Sequence, residues 1–268
     1  MSKTFIDSAT DLFWASGREK SARFAVNFSR NVRHFVLRLT GGCGLLSPEH
    51  AAGMKNLEDA LAGRSANGTP QPRFSGFGLF GGTRMLRKDD PSVIVPGITE
   101  VFPNITSECP EAVFLGVAAR TEKTKHSQPY GIIMSSEGNH DFFTILHPTM
   151  TAAIILQPGV DADALWDDEY KECIFYCDEL RKAAWQNLLV VYNGGGIAEK
   201  EILAWAKLGK LDRSNWKVLL IKGSGRKADQ YAGDESFLAE HPTVHVAGPD
   251  IESTREKLLE LGALTWPK

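Results

Sequence analysis

Short apolar, β-branched runs alternate along the chain with longer stretches of helical period, and most of the runs end in glycine. The first run is residues 34–40 (HFVLRLT), followed by Gly41, Gly42, Cys43 and Gly44. A helix is predicted over residues 48–61 with Ser47 as its N-cap, and the polar, turn-rich residues 62–72 read as a surface loop. Residues 74–80 lead into Gly81, Gly82, Thr83 and Arg84. Residues 112–118 precede Arg120 and a basic, polar segment reaching Gln128. Residues 130–135, 142–146 and 152–156 are further apolar runs, and residues 162–184 have helical period with a charged outer face.

The C-terminal third repeats the unit most cleanly. Residues 188–192 (LLVVY) empty into Asn193, Gly194, Gly195 and Gly196, and residues 197–208 follow with helical period. Residues 217–221 (KVLLI) run into Lys222, Gly223, Ser224, Gly225 and Arg226; a short strand at 243–247 and a helix at 250–261 close the chain. Alternating strand and helix argues for crossover units on a parallel sheet. Unbroken apolar strands such as LLVVY are expected where helices cover both faces of that sheet. The predicted fold class is therefore α/β, a Rossmann-like three-layer sandwich with a mainly parallel sheet. Residues 34–268 would form the domain, with residues 1–33 packed against it.

Composition narrows the function. The 268 residues are 43% hydrophobic and 24% charged, enough for a real core, and the net charge is -3. A sequence pI near 6.2 does not suit a general nucleic-acid binder. No stretch approaches the apolar length of a membrane span, and residues 1–11 lack a signal-peptide core, so a cytoplasmic protein without membrane association is expected. Cys43, Cys109, Cys173 and Cys177 show no CxxC spacing and read as reduced thiols. Cys173 and Cys177, four apart on a predicted helix, read as buried structural residues rather than a redox pair or metal site.

Four strand ends carry glycines: Gly41-Gly42, Gly81-Gly82, Gly194-Gly195-Gly196 and Gly223-Ser224-Gly225. A turn that brings backbone N–H groups against a phosphate needs residues without a Cβ, and a following helix adds its positive end. Tight strand-to-helix turns use glycine without any ligand as well. Four such turns on one sheet edge nevertheless favour a cleft, since ligands sit outside the carboxyl ends of parallel strands. None matches GxGxxG or GxxxxGK[ST], which argues against an ordinary dinucleotide dehydrogenase or P-loop NTPase. Arg84 and Arg226 follow two of the turns, where a guanidinium grips a phosphate with two hydrogen bonds. Thr83 and Ser224 offer hydroxyl donors. Glu201 would accept from a ribose hydroxyl or simply favour its helix N-terminus.

Other constellations carry less. His140, Asp141 and His147 are poorly spaced for one metal site and read as a polar loop edge, so no metal and no resident cofactor is expected. No GxSxG elbow or HExxH helix is present. Trp166, Trp185, Trp205 and Trp216 read as packing between helix and sheet, with base stacking by one of them open.

These motifs resemble the SLOG superfamily, and within it the LSDAT group related to the N-terminal domain of TRPM-type channels. LLVVY with NGGG and the acidic helix IAEKEILAWAKLG looks like that group's strand, turn and helix. KVLLIKGSGRKAD looks like its next strand and turn, and LRLTGGCG and FSGFGLFGGTRM fit its earlier glycine-bearing strands. The resemblance spans residues 34–262 and is firmest over 188–229. It implies binding of ADP-ribose-like nucleotides, cyclic forms included, as in Thoeris defence effectors. Gly194, Gly195 and Gly196 would hold one phosphate or ribose, and Gly223, Ser224, Gly225 and Arg226 another, with Thr83 and Arg84 at the earlier turn.

The expectation is a homo-oligomeric sensor or sequestering protein in prokaryotic nucleotide-signalling immunity. LOG-type N-glycosidases of the same superfamily give the alternative, with Glu201 stabilising the sugar cation and Arg84 or Arg226 the phosphate. Their PGGxGTxxE motif departs here: Asn193 stands for the proline and Ile197-Ala198 for Gly-Thr.

Overall fold

Phe35 to Thr40 are all buried, and their side chains divide between two layers. Phe35, Leu37 and Leu39 enter one core and Val36 the other, the period-2 split of a strand covered on both faces. A computed structural model describes residues 4–7, 10–15, 25–27, 29, 31–42, 46–65, 67–119, 142–147, 152–156 and 166–267. The run at 130–135, Arg120, Cys43, Gly44, His140, Asp141 and residues 162–165 lie outside the described residues, as does the side chain of Trp166.

The strands are β1 (Thr4–Asp7), β2 (Thr10–Ala15), β3 (Phe35–Gly41), β4 (Arg73–Phe74), β5 (Gly76–Gly81), β6 (Thr83–Arg87), β7 (Ile94–Val95), β8 (Ala112–Ala119), β9 (Phe142–Leu146), β10 (Ala152–Leu156), β11 (Gln186–Tyr192), β12 (Trp216–Ile221), β13 (Val244–Ala247) and β14 (Leu264–Thr265). The helices are α1 (Pro48–Ala62), α2 (Val101–Ile105), α3 (Trp166–Arg181), α4 (Gly196–Leu211), α5 (Arg226–Ala232), α6 (Glu235–Glu240) and α7 (Ile251–Glu260). Ser47 caps α1 by accepting from the His50 N–H at 3.2 Å, Pro48 opens it, and Gly63 ends it in the left-handed region.

Nine strands form the main sheet in the order β1-β2-β10-β8-β5-β3-β11-β12-β13. Only the β1–β2 pair is antiparallel. From β3 the chain steps outward through β5, β8 and β10. It then returns over α3 to β11, on the other side of β3, and steps outward again through β12 and β13. Strand order thus reverses between β3 and β11, where open α/β sheets bind their ligands. Met54, Leu57, Phe102 and Leu258 bring α1, α2 and α7 onto one face. Cys173, Tyr176, Ile202, Trp205 and Phe237 bring α3, α4 and α6 onto the other. The result is the three-layer α/β sandwich that the alternating pattern predicts.

The sequence pattern missed the smaller sheets. Thr83–Arg87 pairs antiparallel with Phe142–Leu146 and with Ile94–Val95, outside the main sheet. The Gly81-Gly82 turn therefore feeds a strand, not a helix. Gly82 makes that exit: its N–H bonds the Val117 carbonyl at 3.0 Å, and a Cβ there would stand 2.9 Å from the Gly116 Cα. Leu264–Thr265 also pairs with Arg73–Phe74.

Candidate functional site

At the reversal, β3 and β11 stay in contact to their last residues. A Cβ on Gly41 would lie 2.0 Å from the Tyr192 carbonyl oxygen, and the Gly42 N–H donates to that same oxygen at 3.0 Å. Beyond this point the chains part, one toward α1 and the other directly into α4. Asn193 adopts a left-handed φ of 63° and Gly194 one of 95°. The Asn193 N–H donates to the Ser224 Oγ at 2.8 Å, and its Nδ2 to the Ser224 carbonyl at 2.7 Å. Its Oδ1 accepts from the Gly194 N–H at 2.9 Å. The Ser224 hydroxyl in turn donates to the Ile221 carbonyl at 2.6 Å. Asn193 and Ser224 are buried and bracket the β11 and β12 turns together. The free hydroxyl donor expected at Ser224 is engaged in that bracket.

The bracket positions a helix end. Gly195 is the N-cap of α4 and no side chain caps it, so the first-turn amides of a 16-residue helix are open to an anion. Arg226 lies over this end: its Nη2 stands 2.8 Å from where a Gly195 Cβ would be. Its backbone is left-handed, with φ 51°, a conformation that clusters at ligand sites. The Arg226 side chain is exposed and makes no ion pair among the described residues. The nearby acid on α4, Glu199, is taken by Lys227 at 2.7 Å and by the Tyr231 hydroxyl at 3.0 Å. Those bonds hold the Glu199 carboxyl below its ordinary range. Asp229 accepts from the Gly223 N–H.

Across the crevice stands α1. Its His50, which the sequence pattern did not single out, has Cε1 2.7 Å from where a Gly225 Cβ would be, with Asn193 Nδ2 at 2.9 Å from the same point. The Tyr192 hydroxyl donates to the His50 carbonyl, and burial, aided by Asp229, pushes that phenol up to about 12.

Glu201 lies elsewhere. It is fully buried under the sheet, and both carboxylate oxygens bond Arg38, Oε1 to Nε at 2.9 Å and Oε2 to Nη2 at 3.4 Å. The sequence offered it to a ribose or to its own helix N-terminus, because the helix turn was read without its facing strand, where Arg38 is a charged residue in a mostly apolar run. Arg38 Nη2 also donates to Glu169 Oε1 at 3.0 Å. Burial raises the Glu169 carboxyl and Arg38 opposes the rise.

The remaining predicted residues sit at the β5 end, on the far side of β3 from α4. The Arg84 guanidinium is held by Glu100, with Nη2 to Oε2 at 2.7 Å, and its Nη2 lies 3.0 Å from His147 Nε2. Burial pushes the Glu100 carboxyl up, but the bonds from His147 and Arg84 outweigh it and hold the carboxyl low. The structure thus brings Gly41, Gly42, Asn193, Gly194, Gly195, Gly196, Gly223, Ser224, Gly225 and Arg226 together, and sets Gly81, Gly82, Thr83 and Arg84 apart. Trp185, Trp205 and Trp216 are buried packing residues, with Trp205 and Trp216 edge to face at 4.8 Å. Among the described residues no group of three His, Cys, Asp or Glu is placed to hold a metal, and no helix is long and apolar enough to cross a membrane.

No known family profile matches the chain, and no curated protein does. Among solved structures, the molybdenum cofactor binding protein of the phototrophic bacterium Rippkaea orientalis is similar at 13% identity and a TM-score of 0.46, over 85% of this chain and 98% of that one. The Moco carrier protein of Chlamydomonas reinhardtii is similar at 16% identity and a TM-score of 0.42, with the same coverage. Likenesses this remote carry no argument about function.

Proposed function

We propose that the chain binds an ADP-ribose-like nucleotide, cyclic forms included, and acts as a sensor or sequestering protein of SLOG type, closest to the LSDAT group. One observation carries this reading: a guanidinium without an ion pair among the described residues lies over the uncapped glycine N-terminus of a long helix, at the point where strand order reverses. A phosphate there takes first-turn amide donors, the positive end of the helix and a bidentate cation at once. Gly41 and Gly42 let β3 end tightly against Tyr192 and Asn193, and Gly225 keeps α5 close to α1. The hydrolase alternative rested on Glu201, whose carboxylate Arg38 holds within the core. Its signal passes through a homo-oligomer or a partner, in the cytoplasm and in prokaryotic nucleotide-signalling immunity.

Mass spectrometry of small molecules released from the purified, heat-denatured protein tests the reading, before and after incubation with ADP-ribose, its cyclic isomers and AMP. Recovery of an intact ADP-ribose-like species is the expected result. Free base with ribose phosphate would make the chain a hydrolase. A different phosphorylated heterocycle, the molybdenum cofactor included, would keep the phosphate cradle and replace the nucleotide. Recovery of no phosphorylated species in either condition would overturn the proposal.

A further inference from the structure

The sequence offered Glu201 as the acid for a ribose, and the fold buries it, yet a second carboxylate stands at the strand-end edge. Glu169 is in the first turn of α3, on the same face of the sheet as α4. Its Oε1 and Oε2 lie 3.1 and 3.5 Å from where a Gly81 Cβ would be, so the glycine that ends β5 admits this carboxylate to the edge. Oε1 accepts from Arg38 Nη2 at 3.0 Å, and no hydrogen bond reaches Oε2 among the described residues. The side chain is 12% exposed, so the carboxylate is mostly desolvated without being sealed in. Arg38, itself only 3% exposed, keeps Nη1 without a partner among the described residues. A buried guanidinium with one unsatisfied nitrogen and a half-paired carboxylate form a polar group that lacks a partner among the described residues. Thr99 closes the far side, its Cγ2 3.1 Å from the same Gly81 position.

The spacing fits the proposed ligand. β5 and β11 flank β3, so the Gly81 edge and the α4 N-terminus are two strand spacings apart, about 10 Å. That is the reach of a ribose phosphate with a hydrogen bond at each end. A carboxylate accepts from two adjacent hydroxyls, as a ribose diol presents them. We infer that Glu169, oriented by Arg38, is the acceptor for the ribose hydroxyls of a nucleotide whose phosphate lies under Arg226 at the α4 N-terminus. The inference rests on the function proposed above. Arg38 is a positioning residue, and Glu169 touches the ligand.

Calorimetric titration with AMP and with 2′,3′-dideoxy-AMP tests it, on the wild type, Glu169→Ala, Glu169→Gln and Arg226→Ala, each first checked for cooperative unfolding. The wild type is expected to prefer AMP at least ten-fold. Glu169→Ala is expected to bind both alike, and Glu169→Gln, which keeps an acceptor for Arg38, to lose at least three-fold of the preference. Arg226→Ala is expected to weaken both ligands equally with the preference intact. The readout is a ratio between two ligands, so lost stability alone does not move it. If Glu169→Ala does not fold, Glu169→Gln decides. A wild-type preference unchanged in the Glu169 variants, or no preference in the wild type, would overturn the assignment and leave the phosphate site standing. Failure of the wild type to bind AMP overturns the assignment, and failure to bind ADP-ribose as well overturns the function proposed above.

Discussion

Arg226 and Glu201 are both charged residues close behind a glycine turn, and the fold treats them in opposite ways. Arg226 is lifted to the surface by a left-handed backbone and lies over Gly195 without an ion pair among the described residues. Arg226→Ala should weaken ADP-ribose binding by about 1.5–3 kcal/mol, the range for a charged hydrogen bond. Calorimetry checks it, and an unchanged affinity would remove Arg226 from the site. Glu201 is fully buried against Arg38. Glu201→Ala leaves a buried guanidinium short of a partner and should destabilise the chain by about 3–5 kcal/mol. Denaturant unfolding reads that loss; a midpoint equal to the wild type's would contradict the ion pair.

The elements were legible where their pattern is local. β3, β11 and β12 announce themselves as continuous apolar runs, and the N-cap of α1 is readable from Ser47-Pro48. The glycines at the ends of β3 and β11 were legible as strand-end turns, and their placement at the order reversal was not, because strand order depends on pairing between distant segments. The partners of Arg38 were hidden for the same reason: Glu169 and Glu201 lie on two helices more than 130 residues away. The β6–β9 pair was missed because Gly81-Gly82 reads locally as a strand-to-helix turn. Gly41→Ala tests the β3–β11 contact. Its Cβ has only 2.0 Å to the Tyr192 carbonyl, so the variant should lose about 1–3 kcal/mol or more of stability. Wild-type stability would mean the two strands separate earlier than described.

At the scale of the molecule, two cores clamp one sheet, and the cysteines report their integrity. Cys109, Cys173 and Cys177 are free and buried; burial pushes the Cys109 thiol up to about 12 and raises the other two. Alkylation needs the thiolate, so these three should resist iodoacetamide at neutral pH in the native protein and react after unfolding in urea. Peptide mapping of the alkylated protein checks this, and rapid native labelling of Cys173 or Cys177 would contradict the packing of α3 on the sheet. We place the ligand's entry between α1 and α4, which start on opposite faces of the sheet beyond β3 and β11. A crystal structure of the protein with ADP-ribose tests that claim most directly. Phosphate density within hydrogen-bond reach of the Gly196 and Ile197 amides and of the Arg226 guanidinium is the predicted result. ADP-ribose bound away from the β3–β11 crevice, or absent from a crystal grown at saturating ligand, would contradict it.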